Sequence, residues 1–143
     1  MINSREVGQE FKVFSSQELH EFLNEVSGVN FVMLCSSDGF ELSLASKKNI
    51  ENTGKIAAVS SSILAMVSAF ISEIQLFGCQ TITLDAENGK VFLTAVDHPQ
   101  HPMVIVAVTN KDILMGQMLY YFKKLSDSLA KPQIKKVSEI SNS

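Results

Sequence analysis

The stretch Asn52 to Gly78, NTGKIAAVSSSILAMVSAFISEIQLFG, decides how the rest of the chain is read. At about 100° per residue, Ile56, Val59, Ile63, Met66, Val67, Phe70, Ile71 and Ile74 gather on one helical face, which predicts a core stripe. The opposite half carries small, uncharged side chains: Ala58, Ser61, Ser62, Ala65, Ser68, Ala69 and Ser72. Helix surfaces that face water usually carry Lys and Glu, and neither occurs from Ile56 to Ser72. A helix apolar on one side and small on the other is expected to be covered on both. Small residues let a second helix backbone come close, and a chain this short has few other helices to offer. The expected cover is a second copy of the protein, with those seven small residues at the contact. A membrane span is the weaker reading, because a span needs roughly 20 predominantly apolar residues and serines interrupt a shorter run here. A serine-rich back facing water in a monomer is the other alternative, and Glu73 and Gln75 favour water at the last turn.

Outward from this helix, the 143 residues suit one domain, and 45% hydrophobic with 19% charged residues suits a globular fold with a surface less charged than average. The net charge of -3, with no basic cluster beyond the pairs Lys47-Lys48, Lys123-Lys124 and Lys135-Lys136, argues against nucleic acid as a partner. Cys35 and Cys79 both sit in apolar, strand-like runs, so they are expected to be buried thiols rather than a disulfide. Free thiols, together with an N-terminal stretch lacking an apolar signal core, point to a cytoplasmic location.

Residues 1–14 show no sustained period and are expected to form a mobile arm, with Phe11, Val13 and Phe14 able to dock. Ser15 with Glu18 three positions on reads as a capping box opening a short helix, with Leu19, Phe22, Leu23 and Val26 on one face and Gly28 as its stop. Val29–Ser36 is a nearly continuous apolar run, the mark of a strand covered on both faces. Ser37-Asp38-Gly39 reads as a turn into a half-buried strand, Phe40–Ala45, with Phe40, Leu42 and Leu44 inward. Asn49 or Asn52 can cap the central helix, and Gly78 closes it. Cys79–Ala86 alternates like an edge strand, with Thr81 and Thr83 on the polar side. Asn88-Gly89 marks a hairpin into Val91–Val96. Met103–Thr109 is a second all-apolar strand, and Asn110 is expected to cap a last helix, lined by Ile113, Leu114, Met118, Leu119, Phe122, Leu125 and Leu129 and stopped by Lys131-Pro132. Residues 15–130 thus form the domain, and 131–143 are expected to be a disordered polar tail. The order α-β-β-α-β-β-β-α predicts an α+β fold: a five-stranded antiparallel sheet covered by helices on both faces.

Chemistry finds little support. His98 and His101 flank Pro99 and could ligate a metal, but a third ligand at suitable spacing is missing. Cys35 sits where a thiol is usually inert. Phosphate loops, dinucleotide fingerprints and nucleophile elbows do not occur. Neither a catalytic residue, a metal nor a cofactor is therefore expected. Arg5 is the only arginine, so any acceleration of phosphoryl transfer on a partner would have to work by positioning the partner's own residues, not by an arginine inserted from the folded body.

Gly28-Val29 before the first strand, Ser37-Asp38-Gly39 in its hairpin, the Ala/Ser-rich middle helix, Glu87-Asn88-Gly89 and the Thr109-Asn110-Lys111 entry to the last helix form a familiar arrangement. It resembles the roadblock/dynein light chain family, particularly its bacterial members of the MglB type, over about Ser15 to Ala130. The resemblance implies a homodimer in which the middle helix packs on its mate and the edge strand Cys79–Ala86 pairs with its counterpart into one sheet. It also implies a non-enzymatic regulator of a Ras-like small GTPase, an activator or modulator. The alternative function is a scaffold or adaptor subunit of a signalling or motility complex that binds independently of nucleotide. A third reading, a small-ligand sensor, would need a pocket between sheet and helix.

Overall fold

The structure is a computed structural model that describes residues 8–78 and 81–131. The elements run α1 (Gln9–Glu25), β1 (Val29–Ser36), β2 (Glu41–Ser46), α2 (Thr53–Glu73), β3 (Ile82–Ala86), β4 (Gly89–Val96), β5 (Met103–Thr109) and α3 (Met115–Ala130). All neighbouring strands are antiparallel, in the order β2-β1-β5-β4-β3. The all-apolar β1 and β5 are adjacent and internal, which is why both of their faces are apolar. Alternate residues divide between two cores. Val32, Leu34, Phe92 and Ile105 meet α1 and α3 on one face. Phe31, Met33, Leu93 and Val106 meet α2 on the other. The α+β architecture and the element order are those expected from the sequence.

Three local expectations are corrected. Helix α1 begins at Gln9, six residues before Ser15, because Phe11 is buried among the core and packs edge-on against His98 at 5.8 Å between ring centroids. Residues 8–14 are therefore part of the domain and not an arm. Ser15 is no cap but a fully buried mid-helix residue that donates to the Lys12 carbonyl at 3.1 Å and shares a hydrogen bond with the Ser43 hydroxyl. That bond also explains why Ser43 of β2 faces inward while Phe40 is half exposed. Helix α3 starts at Met115, not after Asn110, whose amide instead donates to the Gly28 carbonyl at 2.8 Å while its side chain accepts from Asn30 Nδ2 at 2.8 Å. Leu114 is consequently exposed.

Two glycines are required by close approach. Gly39 has φ +99°, and a Cβ there would lie 3.3 Å from Ala58 Cα, so the β1–β2 turn can sit against α2. Gly89 pairs with Ala86 beyond a two-residue turn at Glu87-Asn88, and a Cβ there would lie 2.7 Å from the Thr109 carbonyl oxygen. Its smallness admits the neighbouring strand β5. Helix α2 opens from Asn52, left-handed at φ 61° and with no side-chain cap bond.

Candidate functional site

The outer surface of α2 is the feature that its own fold does not account for. The helix rests on the sheet through Ala57, Ser60, Ser61 and Leu64. Ser61 donates to the Ser36 carbonyl at 3.0 Å inside this contact. The sheet therefore meets the seam between the apolar stripe and the small-residue face, and both arcs flank it. Of the stripe assigned to the core, Ile56, Ile63, Val67 and Ile71 are half-buried, but Val59, Met66, Phe70 and Ile74 are exposed, Met66 at 65% and Phe70 at 64%. A short, small face is what lets a helix lie close on a sheet; the bulky arc is then turned away.

Of the residues expected at a contact between copies, Ala58, Ser62, Ala65, Ser68, Ala69 and Ser72 are all exposed in the single chain. Ser61 differs: it is buried on the sheet by its hydrogen bond, which corrects its place on the outer face. Thr83 of β3 is exposed and Thr81, just before the strand, is half-buried. The apolar surface continues past the helix C-terminus through Leu76 to Phe77, 94% exposed, beside a cleft lined by Ser68, Ile71 and Ser72. Strand β3 pairs only with β4 and leaves its other edge open among the described residues. Asp85 and Lys90 close the β3–β4 hairpin at 2.8 Å, and the hydrogen bond from Lys90, aided by its charge, holds the Asp85 carboxyl below its ordinary range.

The arrangement pairs exposed large apolar side chains with small residues beside them and an open strand edge. Exposed apolar patches of this kind mark contact surfaces, and an open edge is ready to accept a further strand. Completing the burial of each half-exposed Val, Met, Phe or Ile contributes about 1 kcal/mol, half the value for a fully buried side chain. By length and composition α2 is long and apolar enough to cross a membrane, but its Ser60–Ser61 face is a layer of the domain, fastened to β1.

The residues singled out for chemistry are placed elsewhere. Cys35 is buried in β1, and burial, reinforced by the charge of Glu41, pushes its thiol up to about 12, so the nucleophilic thiolate is suppressed. His98 and His101 stack at 5.1 Å. His98 Nδ1 accepts from the amides of Gln100 at 3.1 Å and His101 at 3.2 Å, which makes it a loop-shaping acceptor. Burial and then the neighbouring His101 lower its pKa. Among the described residues no three His, Cys, Asp or Glu side chains converge to hold a metal. Cys79 and Arg5 lie outside the described residues.

The fold is three-layered, with an uncharged helix face turned outward and, among the described residues, a free strand edge at β3. The sequence matches the Roadblock/LC7 domain over residues 15–107, and the chain belongs to that family. In structure it is similar to MglB of Myxococcus xanthus (TM-score 0.76, 16% identity, 87% of this chain and 90% of that one). The gliding protein MglB of Thermus thermophilus is equally similar (TM-score 0.76, 16% identity, 87% and 91%). An MglB with a tetrameric arrangement gives a TM-score of 0.77 at 16% identity over 87% of this chain and 90% of that one. No curated protein matches the sequence. At these identities the likeness is one of fold.

Proposed function

We propose that this protein is a homodimeric, non-enzymatic regulator of a Ras-like small GTPase, modulating hydrolysis or exchange on the partner's own active site. The observation that carries the reading is the exposed, uncharged α2 face running on to Phe77 and the open edge of β3. Two copies joined through Ala58, Ser62, Ala65, Ser68, Ala69, Ser72 and the Thr81–Thr83 edge would cover Met66 and Phe70 and continue one sheet into the other. Membership of the Roadblock/LC7 family supports this, as does the fold shared with a gliding protein and with an MglB of tetrameric arrangement. The cytoplasm is the compartment we assign, because it keeps a buried thiol such as Cys35 reduced.

The test adds the purified protein to small GTPases from the same cell and follows single-turnover hydrolysis and nucleotide release. A changed rate with one GTPase, and capture of that GTPase that depends on the bound nucleotide, is the expected outcome. Capture that is indifferent to nucleotide, with unchanged rates, would replace this function with that of a scaffold in a signalling or motility complex.

A further inference from the structure

The first turn of α1 is fastened through Phe11. Its N-cap is Gly8, no side chain caps it, and Gln9, Glu10 and Val13 are exposed. Phe11 alone of its first turn is buried, edge-on to the His98 ring at 5.8 Å and 6.4 Å from the Phe14 ring. The next firm point is Ser15, fully buried and hydrogen-bonded to Ser43 of β2. Residues 9–14 therefore form a flap whose hold is the contact between Phe11 and His98.

His98 keeps its place only as a neutral ring. Its Nδ1 accepts from the amides of Gln100 at 3.1 Å and His101 at 3.2 Å, which requires that Nδ1 carry no proton. A protonated Nδ1 would instead meet two N–H groups as a third donor. The His101 ring stacks on it at 5.1 Å, and His101 Nδ1 is buried without a hydrogen-bond partner. Beside the two rings lies a cavity of about 370 Å³, lined also by Glu10, Phe11 and Gln100, which gives the flap and the rings room to move. The charged groups around the ring do not secure an imidazolium. Helix α1 brings Glu10 and Lys12, the loop brings Asp97 and His101, and Asp38 lies in the β1–β2 turn, where the Ser37 amide donates to the Pro102 carbonyl at 3.0 Å. Among the described residues none of these three carboxylates forms an ion pair with His98. Burial, and then the neighbouring His101, accordingly hold the His98 pKa below its ordinary value.

We propose that residues 9–14 are a proton-operated latch, closed on the domain while His98 is neutral and released when His98 takes up a proton, which uncovers Phe11 and Phe14. Protonation ends the two bonds to the Gln100 and His101 amides, and the charged ring turns out toward water. Phe11 then loses the surface it packs on, and an uncapped helical turn without tertiary contacts does not persist. The same step gives the buried His101 Nδ1 access to water. The sign follows from linkage: the closed form binds the proton less readily than the open form, so falling pH favours the open form. Ser15, held by Ser43, is the hinge at which the release stops. The latch acts on the face of the sheet opposite α2 and does not depend on how the α2 face is used.

Hydrogen exchange on the full chain tests this at about pH 7.5 and about pH 5.5, on either side of the ordinary histidine value of about 6.5, with rates corrected for the intrinsic effect of pH. The amides of residues 12–15 should be protected at the higher pH and lose that protection at the lower, while β1 and β5 amides keep theirs. His98→Asn, which keeps an acceptor near the Nδ1 position and does not titrate, should make the protection of residues 12–15 independent of pH. Phe11→Ala should open the flap at neutral pH and, by reciprocal linkage, raise the midpoint of the His98 titration, followed by nuclear magnetic resonance of its ring protons, toward the ordinary value. Protection of residues 12–15 that is unchanged across this range would overturn the proposal. So would a loss shared by β1 and β5, which reports global unfolding, or a pH dependence that survives His98→Asn. An unmoved His98 midpoint in Phe11→Ala, with β1 and β5 still protected, would overturn it as well.

Discussion

Ala65→Glu separates the fold of one chain from the assembly of two. Ala65 is exposed in the single chain, so a carboxylate there stays hydrated, and the expected cost to the monomer is a few tenths of a kcal/mol of helix propensity. Packed under a mate helix, the same carboxylate loses its water, with an effective penalty of several kcal/mol when unpaired. A two-fold interface meets the substitution on both protomers. Taking about 4 kcal/mol, at about 1.4 kcal/mol per decade, the dimer dissociation constant should rise about a thousandfold. Sedimentation equilibrium over a wide concentration range should therefore show monomer where the wild type is dimer, while far-ultraviolet circular dichroism keeps its shape. Ser62→Glu, also on the exposed side, should act alike. A dissociation constant within about threefold of the wild type, under 1 kcal/mol on the same scale, would mean that this helix face meets solvent in the assembly, and the reasoning from small residues would be wrong.

Other consequences follow from single contacts. Ser61→Ala removes the buried bond to the Ser36 carbonyl, which keeps the amide of Gly39 as a donor at 3.0 Å; thermal melts should show a loss of about 1 kcal/mol with the mass of the particle unchanged. Gly89→Ala pushes a methyl into the Thr109 carbonyl 2.7 Å away, and denaturant unfolding should report a loss of about 1–3 kcal/mol. The folded-state pKa of His98 is depressed by burial and by His101, so the unfolded chain binds the proton more readily. Its contribution to stability is present above the ordinary value of about 6.5 and is lost as pH falls below it toward the folded value; unfolding curves from neutral to mildly acidic pH should show this, and His98→Asn, which keeps an acceptor near the Nδ1 position, should flatten it. Cys35, pushed up to about 12, should resist thiol reagents in the folded protein and react once it is unfolded, as site-resolved mass spectrometry can follow.

The fold was legible where a residue's surroundings are implied by its neighbours in sequence. Val29–Ser36 and Met103–Thr109 have no polar face to spare, so they must be central strands, and both occur with the expected bounds. Helix starts were less legible, because they rest on distant contacts. Phe11 extends α1 by packing on His98, from a loop far along the chain. Asn110 is held by Gly28 and Asn30 and so does not open α3. For α2, periodicity revealed two uncharged arcs but not that the seam between them, Ala57, Ser60, Ser61 and Leu64, meets the sheet. Apolar side chains look the same in sequence whether their own sheet or another chain covers them. The nearest available signal was the crowding at Gly39: a helix backbone approaching at Ala58 needs small neighbours such as Ala57 and Ser61.

The central claim is that the outer face of α2 is covered by a second copy of the chain. Light scattering behind size exclusion measures this on the unmodified protein at moderate salt. The account predicts a mass of about 31 kDa, twice the 15.7 kDa of one chain, or a higher even multiple. A mass of 15.7 kDa at high micromolar concentration would contradict it and assign Met66, Phe70 and Phe77 to a different protein.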